Sequence, residues 1–205
     1  KRKWKLWMIA FVVFVMTDIM MQSNRAEAKK RTFTVSSKTI PCSSSYRQKP
    51  YYNKKTKQYY MINSYMRRLS TTGGTLKLKK GTYKIPGTIY VPSNVKIVCA
   101  NGVKIKKTKA TGTKKVKSTK FLFQMISEEK ASGKQNTGKY AASKNASIQG
   151  NGKVIFDMGN VNGATAVFVG HASGITVSGV RFRNKKGGSY IWIEGSKNIS
   201  VRQCV

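Results

Sequence analysis

The feature that most limits what this chain can fold into is a repeat near its end. Val167 to Val180 and Ile191 to Cys204 align without a gap at an offset of 24 residues. Apolar residues meet apolar residues at 167/191, 169/193, 175/199, 177/201 and 180/204. Asn145-Ala146-Ser147-Ile148 and Asn94-Val95-Lys96-Ile97 share an Asn-x-x-apolar segment with Asn198-Ile199-Ser200-Val201. A period in the twenties, carried by very short alternating segments, describes a unit that cannot bury its apolar face alone and must stack on copies of itself. The same texture runs back to Gly74. Thr75–Leu78, Thr82–Ile85, Thr88–Val91, Val95–Cys99 and Val103–Ile105 alternate or run apolar between turn residues such as Gly81, Pro86-Gly87, Pro92-Ser93-Asn94 and Asn101-Gly102. Few of these turns suit a two-residue hairpin, which favours a solenoid over a meander. The expected fold is all-β, a right-handed parallel β-helix whose coils stand about 4.8 Å apart. Between Lys106 and Lys144 the pattern lapses, and one coil strand, Phe121–Ile126, is expected between long surface loops.

The N-terminal third reads differently. Lys1, Arg2, Lys3 and Lys5 precede the apolar run Leu6–Met16, and Ala26-Glu27-Ala28 offers small residues at a cleavage site. This is the pattern of a signal peptide over 1–28, with export to the cell exterior or surface, in the style of a Gram-positive exporter. The apolar run is short for a membrane anchor and Asp18 interrupts its extension, so no stable span is expected after cleavage. Residues 29–58 look irregular and extended. Tyr59, Ile62, Tyr65, Met66 and Leu69 fall at helical spacing, so a helix over 59–70 is expected to cap the first coil of a β-helix domain over 59–205.

Charge narrows the partners. The chain holds 40 Lys and Arg against 6 Asp and Glu; from Lys29 onward 35 bases and 4 acids leave +31. Such a field draws polyanions in a salt-dependent way. Export makes an acidic polysaccharide or cell-wall polymer the expected partner, while nucleic acid lacks both a recognisable module and the compartment. A merely solubilising Lys-rich surface is the plain alternative. Cys42, Cys99 and Cys204 are too few for a disulfide scaffold and fit no zinc spacing; they read as small apolar residues, with one Cys42–Cys99 bridge conceivable. No metal site and no cofactor is expected.

Gly73-Gly74-Thr75-Leu76-Lys77-Leu78-Lys79-Lys80-Gly81-Thr82-Tyr83 resembles the opening of pectin-lyase-like β-helix proteins, a group that includes polygalacturonase-type glycoside hydrolases. Ile89 to Ile97, Asn101 to Ile105 and Ile175 to Asn184 resemble its following coils. The resemblance implies a polysaccharide-active protein, hydrolase or calcium-dependent lyase, with a non-catalytic carbohydrate-binding or adhesion module as the alternative. Hydrolysis needs facing carboxylates, and Glu128, Glu129, Asp157 and Glu194 form no such motif, so no catalytic residue is assigned.

The repeat does place candidate binding residues. If Val167, Val169, Ile191 and Ile193 point inward, Phe168 and Trp192 point outward on successive coils, with Tyr190 beside them. Arg181, Arg183, Lys185 and Lys186 supply cations nearby. Rings for sugar faces and guanidinium forks for carboxylates would suit an acidic glycan; reinforcement of the stack is the alternative. His171, the only histidine, reads as a turn residue, with a His171–Glu194 contact possible through stacking. Asp157 reads as a strand terminator, and Asn94, Asn145 and Asn198 as a turn ladder.

Overall fold

The computed structural model describes residues 30–133 and 138–205, so the signal-peptide expectation for 1–28 lies outside the described residues. Among the described residues, fourteen strands form three parallel sheets. Sheet A contains β1 (Arg31–Val35), β2 (Gly74–Leu78), β5 (Val95–Cys99), β8 (Lys144–Gly150), β11 (Ser173–Ser178) and β14 (Lys197–Arg202), in that order. Sheet B contains β3 (Gly81–Ile85), β6 (Val103–Lys107), β9 (Ile155–Asp157) and β12 (Arg181–Arg183). Sheet C contains β4 (Ile89–Tyr90), β7 (Phe121–Gln124), β10 (Thr165–Gly170) and β13 (Ile191–Glu194). The chain visits A, B and C in turn and then climbs one level, which is a parallel β-helix. The 24-residue offset is the observed register: Val167 pairs Ile191 and Ser173 pairs Lys197.

Strand alternation builds the core. In sheet A the register stacks Phe33, Leu76, Ile97, Ile148, Val177 and Val201 in one inward column. Sheet B stacks Tyr83, Ile105, Phe156 and Phe182; sheet C stacks Ile89, Phe123, Val167 and Ile191. Between the end coils each column is a continuous wall of buried apolar side chains closed off from water by the other two sheets. At the last coil the inward residues Ile193 and Val201 are 45% and 43% exposed.

A left-handed backbone position opens every strand of sheet A from β2 onward. Gly73, Asn94, Asn145, Gly174 and Asn198 occupy it, with φ of 66°, 60°, 52°, 64° and 55°. Gly and Asn are the residues that tolerate this region most readily. The expected asparagine ladder is therefore corrected. Gly174 stands between Asn145 and Asn198, and what the coils share is a backbone conformation, not a run of side-chain amides.

Two helices of the N-terminal segment are α1 (Ser44–Arg47) and α2 (Lys57–Leu69). The apolar face of α2 buries Met61, Ile62, Met66 and Leu69 in the core cluster and packs on β2, β3 and β4. Asn63 fastens it: its Nδ2 donates to Thr88 O at 3.0 Å and its Oδ1 accepts from Tyr90 N at 3.2 Å. The segment 29–58, expected to be irregular, differs in holding both α1 and β1, the latter pairing with β2 along its whole length. Phe33 and Val35 alternate correctly, but one strand without a repeat partner in sequence carries no period to read. The three cysteines are free. Cys99 lies inside the coil, whereas Cys42 binds the backbone of Ser64, so the conceivable Cys42–Cys99 bridge is absent.

One core residue breaks the composition rule. Lys107, at the end of β6, continues the inward parity of Val103 and Ile105 and is fully buried. Its Nζ donates to the carbonyls of Pro86, Gly87 and Phe121 at 3.0, 2.9 and 2.8 Å and to Thr119 Oγ1 at 3.2 Å. Those partners belong to the first coil and to the far end of the loop 108–120, so one ammonium ties the loop to the coil beneath it. Burial pulls its pKa down to about 7. The unfolded chain therefore holds this proton more tightly between about pH 7 and the ordinary lysine value, and the contribution of Lys107 to stability rises with pH across that window. Lys107→Met should cost about 2–4 kcal/mol, because the carbonyls stay buried without a donor. Urea unfolding should show that gap widening from pH 7 to pH 10; an unchanged midpoint would contradict the fastening role.

Candidate functional site

The outer faces of sheets B and C carry the expected binding residues, and the register sets their order. On sheet C the outward column is Tyr90, Gln124, Phe168 and Trp192. The Phe168 and Trp192 rings meet edge to face at 5.1 Å, and Trp192 is 46% exposed. Phe121, at the start of β7, stacks on Phe168 at 4.6 Å with only 10° between the planes. It also meets Trp192 at 6.3 Å. The aromatic row thus has three members on three coils, and Phe121 is the one that sequence parity misses. Phe121 shares the parity of the inward-pointing Phe123, but at the first position of the strand its ring reaches the outer row. Ring contacts of this kind contribute about 0.5–1.5 kcal/mol each. Gly170 belongs to the arrangement, since a Cβ there would lie 2.6 Å from the Phe168 ring.

Tyr190 does not extend this row. Its ring stacks on Phe182 at 5.2 Å with 20° between planes, at the corner between sheets B and C. The Lys185 ammonium lies 5.6 Å from its centroid and donates to Gly188 O at 3.4 Å. Lys186 is exposed in the same corner, where its carbonyl accepts from Gly163 N at 2.9 Å and ties the last corner loop to the one below. The placement of Tyr190 beside Phe168 and Trp192 is corrected accordingly: stacking on an inward phenylalanine turns its ring toward the core.

Arg181 and Arg183 are exposed on β12 and flank the inward Phe182. They stand on the outer face of sheet B, around the corner from Trp192. The register puts Thr82, Lys104, Ile155 and Arg181 in one outward column of sheet B, and Lys84, Lys106, Asp157 and Arg183 in the other. One acid therefore stands among five bases. That acid is fixed. Asp157 is 2% exposed, with Lys104 Nζ 2.8 Å from Oδ2, and Oδ1 accepts from Asn184 Nδ2 at 2.8 Å and from Gly159 N at 2.9 Å. Burial raises its pKa, but the bonds from Lys104, Asn184 and Gly159 outweigh burial and hold it below the usual carboxylate value.

The other carboxylates lie elsewhere. Glu128 and Glu129 begin the short helix α3 (Glu128–Ser132), where Glu128 accepts from Tyr46 Oη at 3.0 Å and Glu129 sits 3.7 Å from Arg67. Glu194 ends β13. Its contact with His171 is between backbones, His171 N donating to Glu194 O at 3.0 Å. His171 itself has φ 51°, as does Gly195 one coil on, so the turn imposes a left-handed residue at this station. Among the described residues no three His, Cys, Asp or Glu side chains gather as a metal site would require. Among them, too, no helix is long and apolar enough to cross a membrane.

No protein-family model and no curated protein matches this chain. Among solved structures, it is similar to PfbA, a surface adhesin of Streptococcus pneumoniae, with a TM-score of 0.54 and 15% identity over 84% of this chain and 37% of that one. It is also similar to the iota-carrageenase of family GH82 from A. fortis, with a TM-score of 0.49 and 20% identity over 70% of this chain and 37% of that one. At these identities the likeness to the adhesin is one of fold. The chain spans about a third of the length of either structure.

The Asp157 cluster has a pH signature. A carboxyl held below its unfolded value stabilises the fold above the ordinary carboxylate pKa, and that stabilisation is lost as pH falls through the folded value. Asp157→Asn should therefore cost about 1–3 kcal/mol at pH 7. In urea titrations the difference from wild type should shrink progressively below about pH 4. A difference that persists undiminished at pH 2 would mean that packing, not charge, holds this site.

Proposed function

We propose that this chain forms part of an extracellular β-helix protein and binds an acidic polysaccharide across the corner between sheets B and C. One observation carries the reading: the last coil presents both the exposed end of an aromatic row, Trp192 on Phe168 and Phe121, on sheet C and the exposed Arg181 and Arg183 on the neighbouring sheet B. An aromatic face receives the apolar side of a sugar ring, and a guanidinium fork matches a uronate carboxylate. Lys185 and Lys186, on the loop joining β12 to β13, add charge between the two. The leader pattern over 1–28 supports export, and a surface or wall glycan then becomes the polyanion within reach. Placing α2 as the cap of the first coil and the domain as pectin-lyase-like belongs to the same reading.

The site proposed on this chain is one for binding, since its described carboxylates form no facing pair. Glycoside hydrolysis needs two of them across one scissile bond. In the described residues they sit on α3, on sheet B and at the end of β13, and Asp157, Glu128 and Glu129 are already engaged.

Polygalacturonate serves as a first ligand. Trp192→Ala and the double variant Arg181→Gln/Arg183→Gln should each weaken its binding about tenfold, a loss of about 1.4 kcal/mol. Only the double variant should flatten the dependence on salt. Unchanged affinity in both would remove the site, and new reducing ends or unsaturated products would replace a binder by an enzyme.

A further inference from the structure

A second cationic site lies toward the N-terminus of the same sheet. Lys84 on β3 and Lys106 on β6 are register partners, and both leave the outer face of sheet B. Parallel pairing sets their strands about 4.8 Å apart. Like charges so placed are destabilising. The one acid beside them in the column, Asp157 above Lys106, is already engaged. The carboxylate of that face, Asp157, is held by Lys104, and the other ion pair among the described residues is Arg67–Glu129.

The surrounding chain adds charge. The turn Tyr51–Thr56 brings Lys54 and Lys55 to the same place, and side chains fix it there. Asn53 Nδ2 donates to Tyr51 O at 3.2 Å and, across to the loop 108–120, to Thr111 O at 2.9 Å. Thr56 Oγ1 donates to Tyr51 O at 2.7 Å, and Lys55 N to Asn53 Oδ1 at 2.8 Å. On the opposite wall the Thr111 hydroxyl donates to Val116 O at 2.6 Å. Between these latched segments is an open cleft of about 370 Å³, lined by Lys54, Lys55, Lys84, Lys106, Thr108 and Ala110. Thr108 Oγ1 is the one buried side-chain polar atom without a hydrogen-bond partner among the described residues. Buried hydroxyls are ordinarily paired. Four ammonium groups around a common cleft, with no acid in its lining, form a site complementary to an anion.

We propose that this cleft binds a tetrahedral oxyanion, a sulfate or phosphate ester carried on a glycan. The proposal rests on the glycan reading above and adds a second subsite of different chemistry. Its lining contains no arginine, so it lacks the planar fork that suits a carboxylate. Lysine offers compact point charges whose donors rotate, and several of them can surround a group with oxygens on all sides. The Arg181–Arg183 face and the lysine cleft would then read carboxylate and ester groups separately.

The test uses the protein with Lys84→Gln/Lys106→Gln, against Lys77→Gln/Lys96→Gln, which removes equal charge from the outer face of sheet A. Inorganic sulfate should shift the Lys106 and Thr108 amide resonances saturably in wild type and in the sheet A variant. The cleft variant should bind about tenfold more weakly. Dextran sulfate should follow the same order, while polygalacturonate binding should be indifferent to the cleft. Equal losses in both double variants, or shifts that never saturate, would overturn the cleft and leave glycan binding at Trp192 and Arg181 standing. Saturable sulfate binding in a protein that retains neither polymer would overturn the glycan part of the proposal and leave a site for the free anion.

Discussion

Parallel register between successive coils is the constraint on which the rest depends. Each strand hydrogen-bonds to the same strand one turn earlier, so whatever one coil places at a station must suit the residues above and below it. The last two full coils show this through the backbone. Positive φ recurs at 160/184, 163/187, 171/195, 174/198 and 179/203, always 24 apart. The side chains at those stations vary from His171 to Gly195 and from Gly179 to Gln203. Turn geometry is therefore conserved along the stack where residue identity is not, since a coil that turned differently would leave its next strand out of register.

Insertions are tolerated because they leave the stations alone. Sheet A register pairs Gly74 with Val95, Lys96 with Ser147, Thr176 with Ser147 and Thr176 with Ser200, giving coil lengths of 21, 51, 29 and 24 residues. The long coil holds the loop 108–120 and α3, and each is anchored by polar bonds to a lower level. Lys107 holds the first through three carbonyls and a hydroxyl. Tyr46 and Arg67 hold the second through Glu128 and Glu129. A buried lysine bonded to backbone carbonyls avoids the cost of an unsatisfied ammonium, and it does so without a carboxylate, of which this chain has few.

The stacked coils were legible in the sequence because their signal is periodic and local. Alternation between Gly74 and Ile105, and the exact repeat after Val167, expose the strands, and Phe121–Ile126 stands out as a lone apolar run among Lys and Thr, of which Phe121–Gln124 is strand. Three things were not legible. β1 has no repeat partner in sequence, so its pairing with β2 is a tertiary fact. Lys107 falls within the Lys- and Thr-rich stretch read as a polar loop from Lys106, since nothing in composition distinguishes a lysine that continues strand parity inward from one that ends the strand. Tyr190 drops out of the aromatic row and Phe121 enters it because one precedes its strand and the other begins it, where corner geometry overrides period two.

The same register that stacks the core also stacks charge. Outside sheet B it aligns Lys84, Lys106, Asp157 and Arg183. In a core column, repetition of one residue type is favourable because apolar groups attract whatever their number. In an outer column, repetition of lysine is unfavourable at every step. A solenoid can relieve that repulsion by alternating sign, as Asp157 does between Lys106 and Arg183, or by taking counter-charge from outside. The first remedy is used once on this face, on the coil where β9 lies. Below it Lys84 stands against Lys106, whose neighbouring acid is already paired with Lys104, and Lys54 and Lys55 are brought against them by a hydrogen-bonded turn. Repulsion built into a rigid frame lowers the cost of admitting an anion, because the frame has already ordered the cations that would surround it.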